Sequence, residues 1–354
     1  MSARPITLVL TAAGCPGGAT LVRMLRANGE RAVTIVGTDA RHDVAGRFLC
    51  DRFATVPPAS SEEYIGALAA LVERERPDVL FVQSSAEVGP VARARAVFEE
   101  LGARVLVASP EAIRLCNDKG AMYAALGGGR VPQPETHEVR DLDAFVAACG
   151  RLGYPERSVC FKPPVSKGSR GFRILRPHVD HASIILYERP NSVVMTLDEA
   201  CAAFRHLDPF PRLLVMEHVD GPEHTVDALS AAGEVLLHQT KTREAIDTGL
   251  AMAFRTVARP DLVGSAREAC RALGLDWFVN LQFKGSKLIE VNPRVSTFVY
   301  QEDFILPYLG IKYALGELDE AGLSAAQARV RISRRTVRYY DQVFWDDTSC
   351  TSST

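Results

Sequence analysis

Between residues 6 and 108, short apolar runs alternate with amphipathic stretches, and this alternation restricts the fold more than any other feature of the chain. Residues 6–11 form an apolar run of strand length, followed by Gly14, Gly17, Gly18 and a helical pattern over 19–28. Gly29 ends that helix, 32–37 reads as a second strand, and Asp39 follows. Further on, 64–76 reads as an amphipathic helix, 79–83 as a strand, 88–101 as a helix and 104–108 as a strand. Alternating β and α segments with short loops predict a parallel, doubly wound sheet. Strand, glycine turn, helix, strand and acid also outline a dinucleotide-binding unit. The glycines do not follow G-x-G-x-x-G, however, so a substrate-holding or structural domain is favoured over an NAD site.

A chain of 354 residues is too long for one simple domain, and two or three are expected. Its 41 Lys and Arg residues against 43 Asp and Glu residues offer no basis for non-specific binding to nucleic acid or anionic membrane. No apolar run reaches the length of a membrane span, and no signal-peptide pattern follows Arg4. The eight cysteines are scattered, without C-x-x-C or a Cys/His cluster, which argues against a disulfide framework or a zinc site. The expected location is the cytoplasm.

After Ser109-Pro110, residues 111–126 look helical and contain Asn117-Asp118-Lys119. Gly127, Gly128, Gly129, Pro132 and Pro134 form a linker, and 142–152 is another amphipathic helix. Residues 159–163 read as a strand carrying Lys162 in apolar company; a Gly/Ser/basic loop over 164–171 follows, and 172–175 returns as the next strand. Backbone N–H groups freed by glycine, with Lys167 and Arg170, suit phosphate oxygens. A mobile surface hairpin satisfies the loop equally well, but a lysine in an apolar strand needs an anionic partner. Residues 177–208 read as an irregular connection with a helix near 197–204. The apolar run 213–216 ends in Glu217-His218-Val219, where free backbone groups beside apolar side chains suit a flat heterocycle such as adenine. Glu223, Thr225 and Asp227 share one strand face, and the strand 235–239 leads to Lys241 and Arg243. A further helix is expected over 260–273 and another from about 300 to 318. The tail over 346–354 looks disordered.

The stretch 287–294 carries the densest chemistry. Ile289 and Val291 fall on one parity, and Glu290, Asn292 and Arg294 on the other, so a strand here presents a carboxylate, an amide and a guanidinium in a row. A solvated strand face and a magnesium–phosphate face both satisfy that pattern. The preceding strand, 277–283, makes a hairpin with it. A three-residue turn over 284–286 places Gln282 on the face of Glu290 and Asn292, whereas a two-residue turn buries Gln282 instead.

Asp118-Lys119, Phe161-Lys162-Pro163 with its glycine-rich loop, Met216-Glu217-His218-Val219 with Glu223, and Gln282 with Glu290-Val291-Asn292-Pro293-Arg294 together resemble the ATP-grasp superfamily, in order. The stretch from Asn280 to Arg294 looks most like carbamoyl-phosphate synthase large subunits, and the length and N-terminal part look more like stand-alone carboxylate–amine ligases. The resemblance covers roughly residues 5–318. It implies an α/β and α+β chain: an N-terminal Rossmann-like parallel-sheet domain over 1–108, then an ATP-grasp fold of two α+β subdomains over 109–318. The smaller, nucleotide-covering subdomain is expected at about 135–215, and a C-terminal extension at 319–354.

The resemblance also implies roles. Lys119 and Lys162 would contact nucleotide phosphates, and Ser166, Lys167, Gly168, Ser169 and Gly171 would close over them. Main-chain groups around Glu217, His218 and Val219 would read adenine, with Glu223 on the ribose. Gln282, Glu290 and Asn292 would hold magnesium, with manganese as the alternative, and many family members have a carboxylate where this chain has Gln282. Arg294 would face the transferred phosphoryl group, with Lys241 and Arg243 on the carboxylate side. The implied reaction transfers the ATP γ-phosphoryl group to a carboxylate and couples the acyl phosphate to an amine, releasing ADP and phosphate. Small-molecule carboxylate and amine partners follow, with a homodimer among the expected assemblies. Rival readings are a single-unit carbamate- or bicarbonate-phosphorylating enzyme and a non-catalytic nucleotide-binding subunit.

Overall fold

The structure is a computed structural model that describes residues 3–127, 129–166, 168, 170–188, 192–247, 250–296 and 301–345. The expected phosphate-loop residues Lys167 and Ser169, and the tail over 346–354, lie outside the described residues.

Strands β1 (Ile6–Leu10), β2 (Val33–Asp39), β3 (Arg52–Thr55), β4 (Val79–Phe81) and β5 (Arg104–Val105) form a first sheet in the order β3-β2-β1-β4-β5. Every neighbour is parallel, as the β/α alternation predicts. The apolar faces of β1 and β4 are almost completely buried, as expected for a sheet covered on both sides.

A second sheet has the order β6-β10-β7-β8-β9, built from β6 (Thr136–Val139), β7 (Val159–Lys162), β8 (Arg173–Leu175), β9 (Val194–Met195) and β10 (Leu213–Glu217). It keeps its own core, in which Phe145, Phe161 and Phe204 meet edge to face. Next come β11 (Glu223–Ala231) and β12 (Glu234–Thr242), the short hairpin β13 (Glu244–Asp247) and β14 (Leu250–Arg255), then β15 (Trp277–Lys284) and β16 (Lys287–Asn292). The third sheet runs β12-β11-β15-β16. Its apolar side, including Val226, Leu281, Phe283, Leu288 and Val291, packs in one cluster with the helix Pro260–Leu273. That helix buries Leu262, Ala266, Ala269, Cys270 and Leu273, the 3.6-residue stripe of an amphipathic helix.

Two expectations change here. The helix expected over 111–126 is two helices, Pro110–Asn117 and Lys119–Ala125. Asp118 interrupts it because its carboxylate accepts from the Ala121 N–H and caps the second helix. The C-terminal segment is also less of an appendage than expected. Residues Arg335–Val337 form β17, which pairs with β14 and completes a small β13-β14-β17 sheet.

The first and third sheets share a core. Leu10 and Phe81 cluster with Leu229, Leu237 and Phe278, and the Phe81 and Phe278 rings are 5.2 Å apart. This contact sets the C-terminal ends of β1 and β4, where α/β sheets hold their ligands, beside the end of β16.

Candidate active site

The site grows out of the polar face of the third sheet. Residues opposite one another on adjacent antiparallel strands point to the same side. Pairing sets Thr225 beside Gln282, Asp227 beside Asn280, and Gln282 beside Glu290, with Asn280 beside Asn292. On the other flank, Lys241 lies opposite Thr225 and Gln239 opposite Asp227. Toward this end one face of the four strands therefore carries polar side chains, and further along the same face turns apolar at Leu229, Leu237 and Phe278.

Gln282 reaches this face by a route other than the expected one. The turn is Gly285-Ser286, because Lys284 pairs with Lys287 and Phe283 with Leu288. Gly285 takes the positive φ of 58° that the first position of such a tight turn demands. Without correction, this two-residue turn would bury Gln282. The register then shifts by one residue, so that Gln282 faces Glu290 and Ile289 is the extra residue of a β-bulge. Leu288 and Val291 become the buried pair, in place of the Ile289/Val291 alternation. The bulge leaves the Ile289 carbonyl accepting from the Tyr123 hydroxyl at 2.9 Å and from Lys162 Nζ at 3.4 Å.

Cations converge on this face. Lys119 is only 6% exposed, and its Nζ lies 3.1 Å from Glu290 and donates to the Ser166 carbonyl at 3.0 Å. Burial, reinforced by Lys119, pushes the Lys162 pKa down to about 8. Glu290 shows the converse: burial pushes its carboxyl up, yet Lys119 and Lys162 outweigh that and hold it below the usual range. Arg294 donates from Nε to the Ser85 hydroxyl at 2.7 Å, which ties it to the loop after β4. Arg243 lies 3.6 Å from Glu223.

These side chains surround a cavity of about 740 Å³. Of the expected residues, Lys119, Ser166, Gly168, Glu223, Arg243, Gln282, Glu290, Asn292 and Arg294 line it. Gly171 helps close the loop above: its φ is +75°, and a Cβ there would come within 2.6 Å of Pro163. At the far end of β10, the Glu217 N–H is spent on the Glu135 carbonyl and its carboxylate is held by Lys287 and the Glu135 N–H. The Val219 backbone is left without a hydrogen-bond partner among the described residues. His218 is packed beside it, and burial lowers its pKa.

Lys241 departs from expectation. It is 1% exposed and its Nζ lies 2.5 Å from Asp227, itself 1% exposed, so it does not line the cavity. Its position inside β12, one pleat below the rim, explains the burial. Ser85, Asn117, Asn280, Ser296, Ile246 and Leu250 line the cavity without being among the expected residues. Asn280 was legible, since it lies two residues from Gln282 on one strand. Ser85 follows a parallel strand of the first sheet, where a ligand-facing residue is the rule.

Gln282, Glu290 and Asn292 offer a carboxylate and two amide carbonyls at adjacent pairing positions, a donor set that suits a hard divalent cation. Among the described residues no group of three His, Cys, Asp or Glu side chains competes with it.

Residues 209–337 match the family described as ATP-grasp in the biosynthetic pathway with Ter operon. The carbamoyl phosphate synthase large chain of Kocuria rhizophila is 27% identical over 248 residues, which is 64% of this chain and 20% of that protein. Human carnosine synthase 1 is 32% identical over 120 residues, 29% of this chain and 14% of that protein. The chain thus spans about a fifth or less of these curated relatives. A biotin carboxylase from Campylobacter jejuni, solved with a β,γ-ATP ligand, superposes with a TM-score of 0.64 at 18% identity, covering 90% of this chain and 73% of that one. The segment 209–337 thus matches an ATP-grasp family model, and over 90% of its length the chain shares the fold of that biotin carboxylase, with a Rossmann-like parallel sheet ahead of the matched segment.

Proposed function

We propose that this chain is an ATP-dependent ligase that activates a substrate carboxylate as an acyl phosphate and joins it to an amine. The carrying observation is the cavity wall: Lys119 and Arg294 line it with Gln282, Glu290 and Asn292, and Lys162 sits just behind it, on the carbonyl of Ile289 next to Glu290. A site so rich in cations suits a polyphosphate.

In this reading Lys119 and Lys162 bind the nucleotide phosphates beneath the loop from Ser166 to Gly171. The Glu217 carbonyl and the Val219 N–H meet the adenine edge, and Glu223 takes the ribose hydroxyls. Gln282, Glu290 and Asn292 hold magnesium, or manganese in its place, and the ion supplies charge neutralisation for phosphoryl transfer. Arg294, fixed by Ser85, stabilises the transferred phosphoryl group and then the oxyanion formed as the amine attacks. Arg243 orients the substrate carboxylate, with Ile246 and Leu250 offering apolar contact beside it. Catalysis is by positioning and electrostatics, with no protein nucleophile. The Cys160 thiol fits that view, since burial pushes its pKa up to about 11.

Purified protein incubated with ATP, magnesium and pooled amino acids and carboxylic acids should release ADP and phosphate in step with amide formation. Release of AMP and pyrophosphate would reject the acyl-phosphate scheme. The similarity to carbamoyl phosphate synthase supports a second reading, phosphorylation of bicarbonate or carbamate. It requires ADP release that depends on bicarbonate and proceeds without any other carboxylate.

A further inference from the structure

Gln282 poses a problem that a carboxylate would not. A carboxylate offers oxygen from either end, whereas an amide offers a cation one useful end and one repulsive end. Something must decide which end faces the cavity.

We propose that Lys241, Asp227 and Asn280 are positioning residues that together turn the Gln282 carbonyl oxygen toward the cation site. This rests on the metal role given to Gln282 above. Asp227 is buried against the Lys241 ammonium, so its carboxylate only accepts. Asn280, also 1% exposed, must therefore offer its NH2 group, and its Nδ2 donates to Asp227 Oδ1 at 2.7 Å. That leaves the Asn280 Oδ1 atom facing outward, where it accepts from Gln282 Nε2 at 3.3 Å. With Nε2 committed, Oε1 is the end left for the cavity that Gln282 lines with Glu290 and Asn292. The buried ion pair thus orients an amide two side chains away, and Lys241 acts without touching substrate.

The consequence runs against simple electrostatics. Replacing Gln282 by glutamate adds a negative charge to the site and on charge alone should tighten cation binding. Here the new carboxylate meets the oxygen of Asn280, and Asn280 cannot turn because Asp227 demands its NH2 group.

The test is Mn2+ binding in the presence of ADP, followed by electron paramagnetic resonance, with metal-free thermal melting as the control for folding. Gln282→Glu should bind Mn2+ no more tightly than wild type. Asn280→Leu, which removes the orienting amide, should weaken Mn2+ by about tenfold, as loss of a group supporting a metal ligand typically does. In the triple variant Gln282→Glu/Asp227→Asn/Lys241→Met the amide introduced at position 227 can donate, Asn280 can turn, and Mn2+ should bind more tightly than to Gln282→Glu alone. A Gln282→Glu protein that melts like wild type and binds Mn2+ tenfold more tightly overturns the proposal, as does an equally stable Asn280→Leu with unchanged affinity. A wild-type chain that binds no Mn2+ with ADP instead removes the metal reading itself.

Discussion

Lys162 ends an apolar strand facing a carbonyl and, 5.8 Å away, the ring of Tyr123. Its lowered pKa has a readable consequence. Free protein holds Lys162 charged below about pH 8 and neutral above it. Nucleotide phosphates favour the charged form, so binding above pH 8 must take up a proton, and affinity falls as pH rises. ADP titrated calorimetrically from pH 7 to 10 should show that decline with proton uptake, and Lys162→Met should bind weakly with a flatter pH profile. Arg294 makes a separate case. Ser85 holds its Nε, and its terminal nitrogens reach the Val295 carbonyl and the Asn292 side chain, which aims the guanidinium at the proposed cation site. Arg294→Ala should lower turnover about a hundredfold or more while ADP affinity, measured calorimetrically, changes little.

At the scale of single elements, the β-bulge at Ile289 decides which side chains the site receives. The alternation of Glu290, Asn292 and Arg294 was legible, and so was the hairpin. The turn length was not, because Lys284-Gly285-Ser286 permits two- and three-residue turns alike. The structure combines the shorter turn with an extra residue, and the two offsets cancel. Deleting Ile289 should remove the bulge yet keep Glu290 opposite Gln282 on the polar face, because Leu288, Glu290 and Val291 then alternate regularly. What is lost is the Ile289 carbonyl that accepts from Tyr123 and Lys162, at an expected cost of about 1–3 kcal/mol, read by chemical denaturation, with Mn2+ binding retained. Asp118 teaches the same lesson for helices. Its capping role was written in the sequence, yet the apolar pattern ran through it and masked the break between the two helices.

For the whole molecule, four strands of the parallel first sheet were legible, because they carry apolar runs, whereas the edge strand β3, with exposed Arg52 and Thr55 and no apolar run, was not. The small β13-β14-β17 sheet was not, since β17 joins β14 across a long stretch of chain and carries mostly polar residues. The depth of Lys241 was hidden for a related reason: periodicity assigns a face, but only the packing of other strands decides which end of that face is covered. The joint between the first and third sheets is where overall shape and site meet. Phe278→Ala should cost about 3–5 kcal/mol, measured by denaturation. It should also loosen the Arg294–Ser85 contact, seen as lower turnover with little change in ADP affinity.

The buried Lys241–Asp227 pair carries one more consequence, for the history of the chain rather than its chemistry. If position 282 cannot exchange glutamine for a carboxylate unless 227, 241 and 280 change with it, these four positions are inherited as a block. Single steps between the two forms pass through a poorer protein. Sequences related to this one should therefore fall into separate groups at these positions, with few intermediates between them.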